Sequence, residues 1–127
     1  MSRGSSRGMA EKWLLAEPDE DMRRELQSLI VGSSNELEDR FNGRLMFGTA
    51  GLRAEVGAGP NRMNRLVVRQ AAAGLVDYLL RTVEGSAEAG ILIGFDARRK
   101  SDVFAIDTAR SCFSDCSIIA RKLCRFN

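Results

Sequence analysis

The stretch Phe47-Gly48-Thr49-Ala50-Gly51-Leu52-Arg53 places two glycines around a hydroxyl and follows them with a guanidinium. Glycine lets a backbone approach an oxyanion closely, and successive amide N–H groups in a turn can face one. Arg53 adds a planar fork that can hold phosphate oxygens in pairs. Each such charge-assisted bond contributes about 1.5–3 kcal/mol, and the Thr49 hydroxyl can donate one more. The chemistry suggested is recognition of a phosphate. A plainer reading fits the same spacing: the glycines permit a tight turn and Arg53 pairs with a nearby carboxylate. The loop is neither a Walker loop, since no Gly-Lys-Ser/Thr follows, nor the Gly-x-Gly-x-x-Gly dinucleotide fingerprint. Spacing alone favours the plain turn and leaves the ligand open.

A second polar group lies at Gly94-Phe95-Asp96-Ala97-Arg98, where an apolar run leaves a sheet, the place where ligands of open α/β sheets gather. Asp96 and Arg98 could orient Arg53 or a substrate. The reading preferred on pattern is an internal ion pair that ties this loop to the glycine loop. Arg62, Arg65 and Arg69 follow at helical spacing and form a small basic patch. Without aromatic interleaving or a wider patch, a solvated helix face explains them better than nucleic acid does.

These loops need elements to hold them. Residues 1–9 read as a disordered polar leader and residues 10–43 as a helical N-terminal extension. Within the extension, Pro18, Asp19, Glu20 and Asp21 open a helix whose stripe is Met22, Leu26, Leu29 and Ile30, and Gly32 stops it. Ser33 with Glu36 has capping-box spacing for a second helix that carries Leu37 and Phe41 and ends at Asn42-Gly43. Arg44 to Phe47 reads as a short strand feeding the glycine-rich loop. Asn64 caps a long helix with Val68, Ala71, Ala72, Leu75, Leu79 and Val83 on one side, ending at Gly85. Ile91 to Phe95 has the composition of a strand covered on both faces. Ser101 or Asp102 opens a helix with Val103, Ile106, Ala109, Cys112 and Phe113 apolar, and Ile118 to Leu123 returns as a parallel strand. The fold class is therefore α/β, built on a βαβ unit.

Composition narrows the chemistry. A length of 127 residues allows one small globular domain. The net charge of +2 argues against nucleic acid or an acidic membrane as partner. Histidine is absent, which removes histidine bases and metal ligands. Cys112, Cys116 and Cys124 match neither a disulfide framework nor a zinc site and read as reduced thiols. Residues 1–8 have no apolar core region, so neither a signal peptide nor a membrane span is expected, and a cytoplasmic location is.

Phe-Gly-Thr-Ala-Gly-Leu-Arg at 47–53 resembles the opening signature of the α-D-phosphohexomutases, the phosphoglucomutase and phosphomannomutase superfamily. Met63-Asn64 with Val67-Val68, and Gly94-Phe95-Asp96-Ala97-Arg98 with Ser101 and Phe104-Ala105, are similar to the next landmarks in order. Thr-Ala-Gly-Leu-Arg behind a helical leader is most similar to the phosphoglucomutase 2 and phosphopentomutase branch. The resemblance implies a four-domain enzyme that moves a phosphoryl group between two positions of a sugar, through a phosphoserine, Mg2+ and a bisphosphorylated sugar. It makes residues 44–127 a partial domain 1, an incomplete three-layer α/β/α domain. By the same likeness Arg53 contacts the phosphoserine, Thr49 and Gly51 shape the substrate-binding loop, and Asp96 and Arg98 support that corner; no metal ligand is carried over. The family's Thr-Ser-His-Asn-Pro nucleophile segment, its Asp-Gly-Asp metal loop, its Gly-Glu-x-Ser sugar loop and its terminal phosphate loop have no counterpart here. Cys116-Ser117 stands where a glycine-containing turn is usual. The expectation is the N-terminal portion of a phosphosugar mutase, inactive alone, whose partners are the remaining polypeptide and a phosphosugar. The alternative is a noncatalytic phosphate-binding or interaction module.

Overall fold

The computed structural model describes residues 3–32, 34–114 and 120–125. Its elements are α1 (Arg3–Ala16), α2 (Glu20–Val31), α3 (Ser34–Phe41), α4 (Arg65–Thr82), α5 (Ser86–Ala89), β1 (Ile91–Phe95), α6 (Ser101–Ser114) and β2 (Ala120–Arg125). They fall into two compact units, Met1–Val67 and Val68–Asn127.

In the first unit α1, α2 and α3 share one core of Ala10, Met22, Leu26, Leu37 and Phe41, to which the later loop adds Ala58. Helices this short are marginal alone, so the shared core stabilises all three. Trp13 meets Phe41 edge to face at 6.0 Å. Residues 1–9, expected as a disordered leader, are helical from Arg3, and Ser6 and Ala10 are buried. The leader looks polar by composition, yet Ser6, Ala10 and Leu14 lie at four-residue spacing, and small side chains on one face let a helix pack closely. α2 begins two residues after Pro18, because the Asp19 carboxylate caps it by accepting the Asp21 N–H at 3.1 Å. Gly32 ends it as the sequence indicates. Ser33, the expected cap of α3, lies outside the described residues.

The loop after α3 holds its form through two side chains. Asn64, fully buried, accepts the Val67 N–H through Oδ1 at 3.0 Å and so caps α4. Its amide nitrogen donates to the carbonyls of Gly57 and Gly59 at 2.9 and 2.8 Å. Arg40 of α3 reaches Glu25 of α2, Glu36 and the Ala58 carbonyl at 2.7, 2.7 and 3.3 Å. Arg44 to Phe47, expected as a strand, forms no ladder: apart from a 3.4 Å bond from Leu45 N–H to the Pro60 carbonyl, no neighbouring strand pairs with it among the described residues. A strand needs a partner, which sequence pattern alone does not supply.

The second unit is a βαβ arrangement. β1 and β2 pair in parallel, with Ile93 opposite Leu123 and Phe95 opposite Arg125. α6 packs Ala105 and Ala109 on Ile93, flanked by Ile91 and Phe95. Val76 of α4 meets Cys112, beside Leu79 and Ile91. Leu75 and Val83, placed on the buried face by pattern, are exposed, because the buried line of α4 runs through Ala72, Val76 and Leu79. α4 stops at Thr82, and the unanticipated α5 sits between Gly85 and Gly90, both at positive φ. Nor is β1 covered on both faces: alternation sends Leu92 to the side away from Ile93, where it is 65% exposed. The α/β class holds, and the third layer of an α/β/α stack is not seen among the described residues. Ile118 and Ile119, the expected start of the second strand, lie outside them.

Glu17 is buried, accepting the Trp13 indole N–H at 3.0 Å and the Asp19 N–H at 3.1 Å. Burial pushes its pKa up; those two bonds and the charge of Arg65 only partly oppose this. A carboxyl whose pKa is raised on folding contributes stability at low pH, and that contribution is lost as pH rises through the folded value. Glu17→Gln should therefore gain stability relative to the native chain as pH rises from 4 towards 8; urea midpoints that diverge in the opposite sense would contradict this assignment. Asn64→Ala removes a cap and the side-chain donor to two buried carbonyls, of which that of Gly59 keeps the Arg62 N–H. It should cost about 2–4 kcal/mol in urea unfolding, whereas Asn64→Asp keeps the cap and still loses both donors.

Candidate functional site

The glycine loop forms a small hairpin. Gly48 and Gly51 exchange both of their backbone bonds, at 3.2 and 3.0 Å, leaving Thr49 and Ala50 at the turn. Gly51 has φ of +88°, a conformation that L side chains rarely adopt, which explains glycine at that place. Of the loop amides that could face an anion, those of Gly48 and Gly51 are engaged across the hairpin. At the turn the Thr49 hydroxyl and the Arg53 guanidinium are exposed. Arg53 Nε makes only a long 3.4 Å bond to the Ala50 carbonyl. No carboxylate pairs with it among the described residues, so the plain alternative of Arg53 held by an acid is not what forms. Phe47, immediately before the hairpin, is 77% exposed, and Met46 is exposed beside it.

The base of the hairpin is tied down. Leu45 N–H reaches the Pro60 carbonyl on one limb. On the other, Glu55 accepts the Met63 N–H at 2.8 Å, and Gly57 N–H returns to the Met63 carbonyl at 3.1 Å. Asn61 N–H closes on the Arg40 carbonyl at 3.1 Å. The Arg40 contacts were not foreseen. A signal existed, since Arg40 stands between Leu37 and Phe41 on the apolar side of α3, but an arginine four residues after a glutamate also fits an exposed pair.

Asp96 and Arg98 belong to the second unit and pair within their own turn. Arg98 donates from Nε to Asp96 Oδ2 at 2.8 Å and from its backbone N–H to Oδ1 at 3.0 Å. The Arg98 backbone N–H above all, then its side chain and the Ser101 hydroxyl, hold the Asp96 carboxyl below the usual aspartate range. The expected ion pair exists and closes the turn after β1. The three arginines read as a solvated face also take partners: Arg62 bonds Asp39 at 2.6 Å, Arg69 bonds the fully buried Asp107 at 2.8 Å, and Arg65 acts on Glu17. Among the described residues no group of three or more His, Cys, Asp or Glu side chains could hold a metal ion. No helix there is long and apolar enough to cross a membrane.

The glycine hairpin, β1 and α6 all lie within residues 44–117, which one family model matches. The chain belongs to the phosphoglucomutase/phosphomannomutase family: the model of its alpha/beta/alpha domain I matches residues 44–117, more than half of the chain. It is 44% identical over 102 residues to a probable phosphoribomutase of Schizosaccharomyces pombe, covering 80% of this chain and 17% of that protein. It is 39% identical over 88 residues to mouse phosphopentomutase and 35% identical over 88 to mouse glucose 1,6-bisphosphate synthase, in each case 68% of this chain and 14% of the relative. The chain thus spans less than a fifth of these relatives. No solved structure matches.

Two glycines test the geometry. A Cβ at Gly51 meets open space, so Gly51→Ala should cost only its backbone strain, about 1–2 kcal/mol. Gly59 has φ of +105°, and a Cβ there would lie 3.1 Å from both Cβ and the carbonyl oxygen of Arg40. Gly59→Ala should cost about 2–5 kcal/mol, strain plus overpacking. Equal urea midpoints for the two variants would mean that the Gly59 turn is not closed on Arg40.

Proposed function

We propose that this chain supplies the phosphate-recognising hairpin of a phosphosugar mutase that interconverts a sugar 1-phosphate with its 5- or 6-phosphate through a phosphoserine and a bisphosphate intermediate. Phosphoryl transfer asks the protein mainly for positioning and for stabilisation of charge on the transferring group. Arg53 would contact the phosphorylated group bidentately, Thr49 would donate to it, and Gly51 would keep the turn narrow enough for approach. Asp96 and Arg98 would brace the turn after β1. The single observation that carries this reading is that Arg53 is exposed and unpaired at a hairpin whose sequence lies inside the family match.

In this reading residues 10–43 are a helical extension and residues 44–127 part of domain I, whose α/β/α layers are completed by further polypeptide. The names of the relatives, phosphoribomutase and phosphopentomutase, favour a pentose phosphate as substrate, and the enzyme would be cytoplasmic. Mg2+ is implied by the family, but the described residues offer no carboxylate cluster that fits it, so no step is derived through a metal. The serine that accepts phosphate would come from sequence outside these residues.

A second reading, a noncatalytic phosphate-binding module, is favoured by the completeness of the hairpin and its base within Met1–Val67. Assays separate the two. The 127-residue chain with ribose 1-phosphate, or with glucose 1-phosphate, Mg2+ and the sugar bisphosphate, should give no turnover; activity would overturn the assignment of the serine to other sequence. In the complete mutase polypeptide, Arg53→Ala should lower kcat/KM roughly ten- to a hundredfold, the value of a charged bond to phosphate. Unchanged kcat/KM would remove Arg53 from the site.

A further inference from the structure

We propose that the helical extension positions the Thr49–Arg53 hairpin, with Arg40 as the positioning residue through which α2 and α3 fix the hairpin's base. The proposal rests on the phosphate reading of the hairpin for its functional meaning, though not for its geometry. The family match begins at residue 44, so Arg40, Glu25 and Glu36 lie outside the shared domain, while the hairpin they hold lies inside it. The 102-residue match to the S. pombe protein is longer than everything from residue 44 onward, so it reaches into the extension.

The connection is continuous. Arg40 Nη1 takes Glu25 Oε1 at 2.7 Å and the Ala58 carbonyl at 3.3 Å, while Nη2 takes Glu36 at 2.7 Å. Glu25 Oε2 in turn accepts the Ala58 N–H at 3.3 Å, so both backbone polar groups of that buried residue are met from the extension. The Arg40 carbonyl takes Asn61 N–H at 3.1 Å. From this base one bond leads to each limb, Leu45 to Pro60 and Met63 to Glu55, two residues beyond Arg53. There is no slack between the parts: a Cβ on Gly57 would come within 3.0 Å of Arg40 Nη1, and one on Gly59 within 3.1 Å of Arg40 Cβ. Arg40 Nε is buried without a partner, so the guanidinium is oriented by these loop and helix contacts at the expense of its own full satisfaction. A lysine cannot reproduce this arrangement, because its single ammonium lacks the fork that spans two carboxylates and a carbonyl.

The test compares the 127-residue chain with its Arg40→Lys, Glu25→Gln and Glu20→Gln variants by amide hydrogen exchange and by titration with inorganic phosphate. Arg40→Lys and Glu25→Gln should speed exchange at the Gly48 and Gly51 amides roughly tenfold or more, with core amides at Leu26 and Phe41 unchanged, and should weaken phosphate binding in parallel. Glu20→Gln, in an exposed pair with Arg24, should change neither. Hairpin exchange at the native rate in Glu25→Gln would overturn the proposal, and so would equal acceleration of hairpin and core, which marks a purely structural role. Should Arg40→Lys fail to fold, Glu25→Gln decides, because it keeps the guanidinium. Absence of any phosphate response in the native chain would sink the phosphate reading, while the exchange comparison would still decide the positioning.

Discussion

The first unit depends on how a buried, irregular peptide segment has its polar groups met. Gly57, Ala58 and Gly59 are buried without a sheet ladder or helix to satisfy them, and unpaired backbone groups in such a place are costly. Three side chains and a few backbone bonds solve this: Asn64 gives one amide to two carbonyls and caps α4 with its oxygen, Arg40 covers the carbonyl between them, Glu25 accepts the Ala58 N–H, and Gly57 N–H reaches the Met63 carbonyl. Because Arg40 also joins α2 to α3, the same bonds that make the loop possible attach it to the helical extension. Glycine at 57 follows from the closeness of that contact, and glycine at 59 from the closeness together with its positive φ.

The hairpin stands on this base and contrasts with it. Its glycines use each other's amides and carbonyls, so it needs no outside partner to close, and its polar side chains are left facing outward. An arginine without a carboxylate is available for an anion, whereas Arg40, Arg62 and Arg69 are each already committed to acids. Chemical type does not separate these arginines. Their surroundings do.

The second unit shows the same division between local and distant causes. Asp96, Arg98 and Ser101 lie within five residues and close a turn by local bonds, so their mutual pairing was within reach of the sequence. The pairing of Arg69 with buried Asp107 spans two helices, and neither residue stands out locally. Exposed Leu92 marks where strand alternation was hidden by an unbroken apolar run: a run of five apolar or glycine residues does not say which face is covered.

What the sequence by itself determined was local and short-ranged: the acidic opening of α2, the cap at Asn64, the stop at Gly32, the order β1, α6, β2, and the run from Phe47 to Arg53 by which the family is recognised. Each of these is set by neighbours within about one helical turn or one hairpin, where residue type limits conformation directly. Only the tertiary structure decided that residues 3–9 are helical, that Arg44 to Phe47 has no strand partner among the described residues, that the Gly48 and Gly51 amides bond across the hairpin, and that Arg40 grips the hairpin's base. Those outcomes depend on which distant groups meet in space, and a charged side chain carries no mark along the chain of the carboxylate or carbonyl it will find.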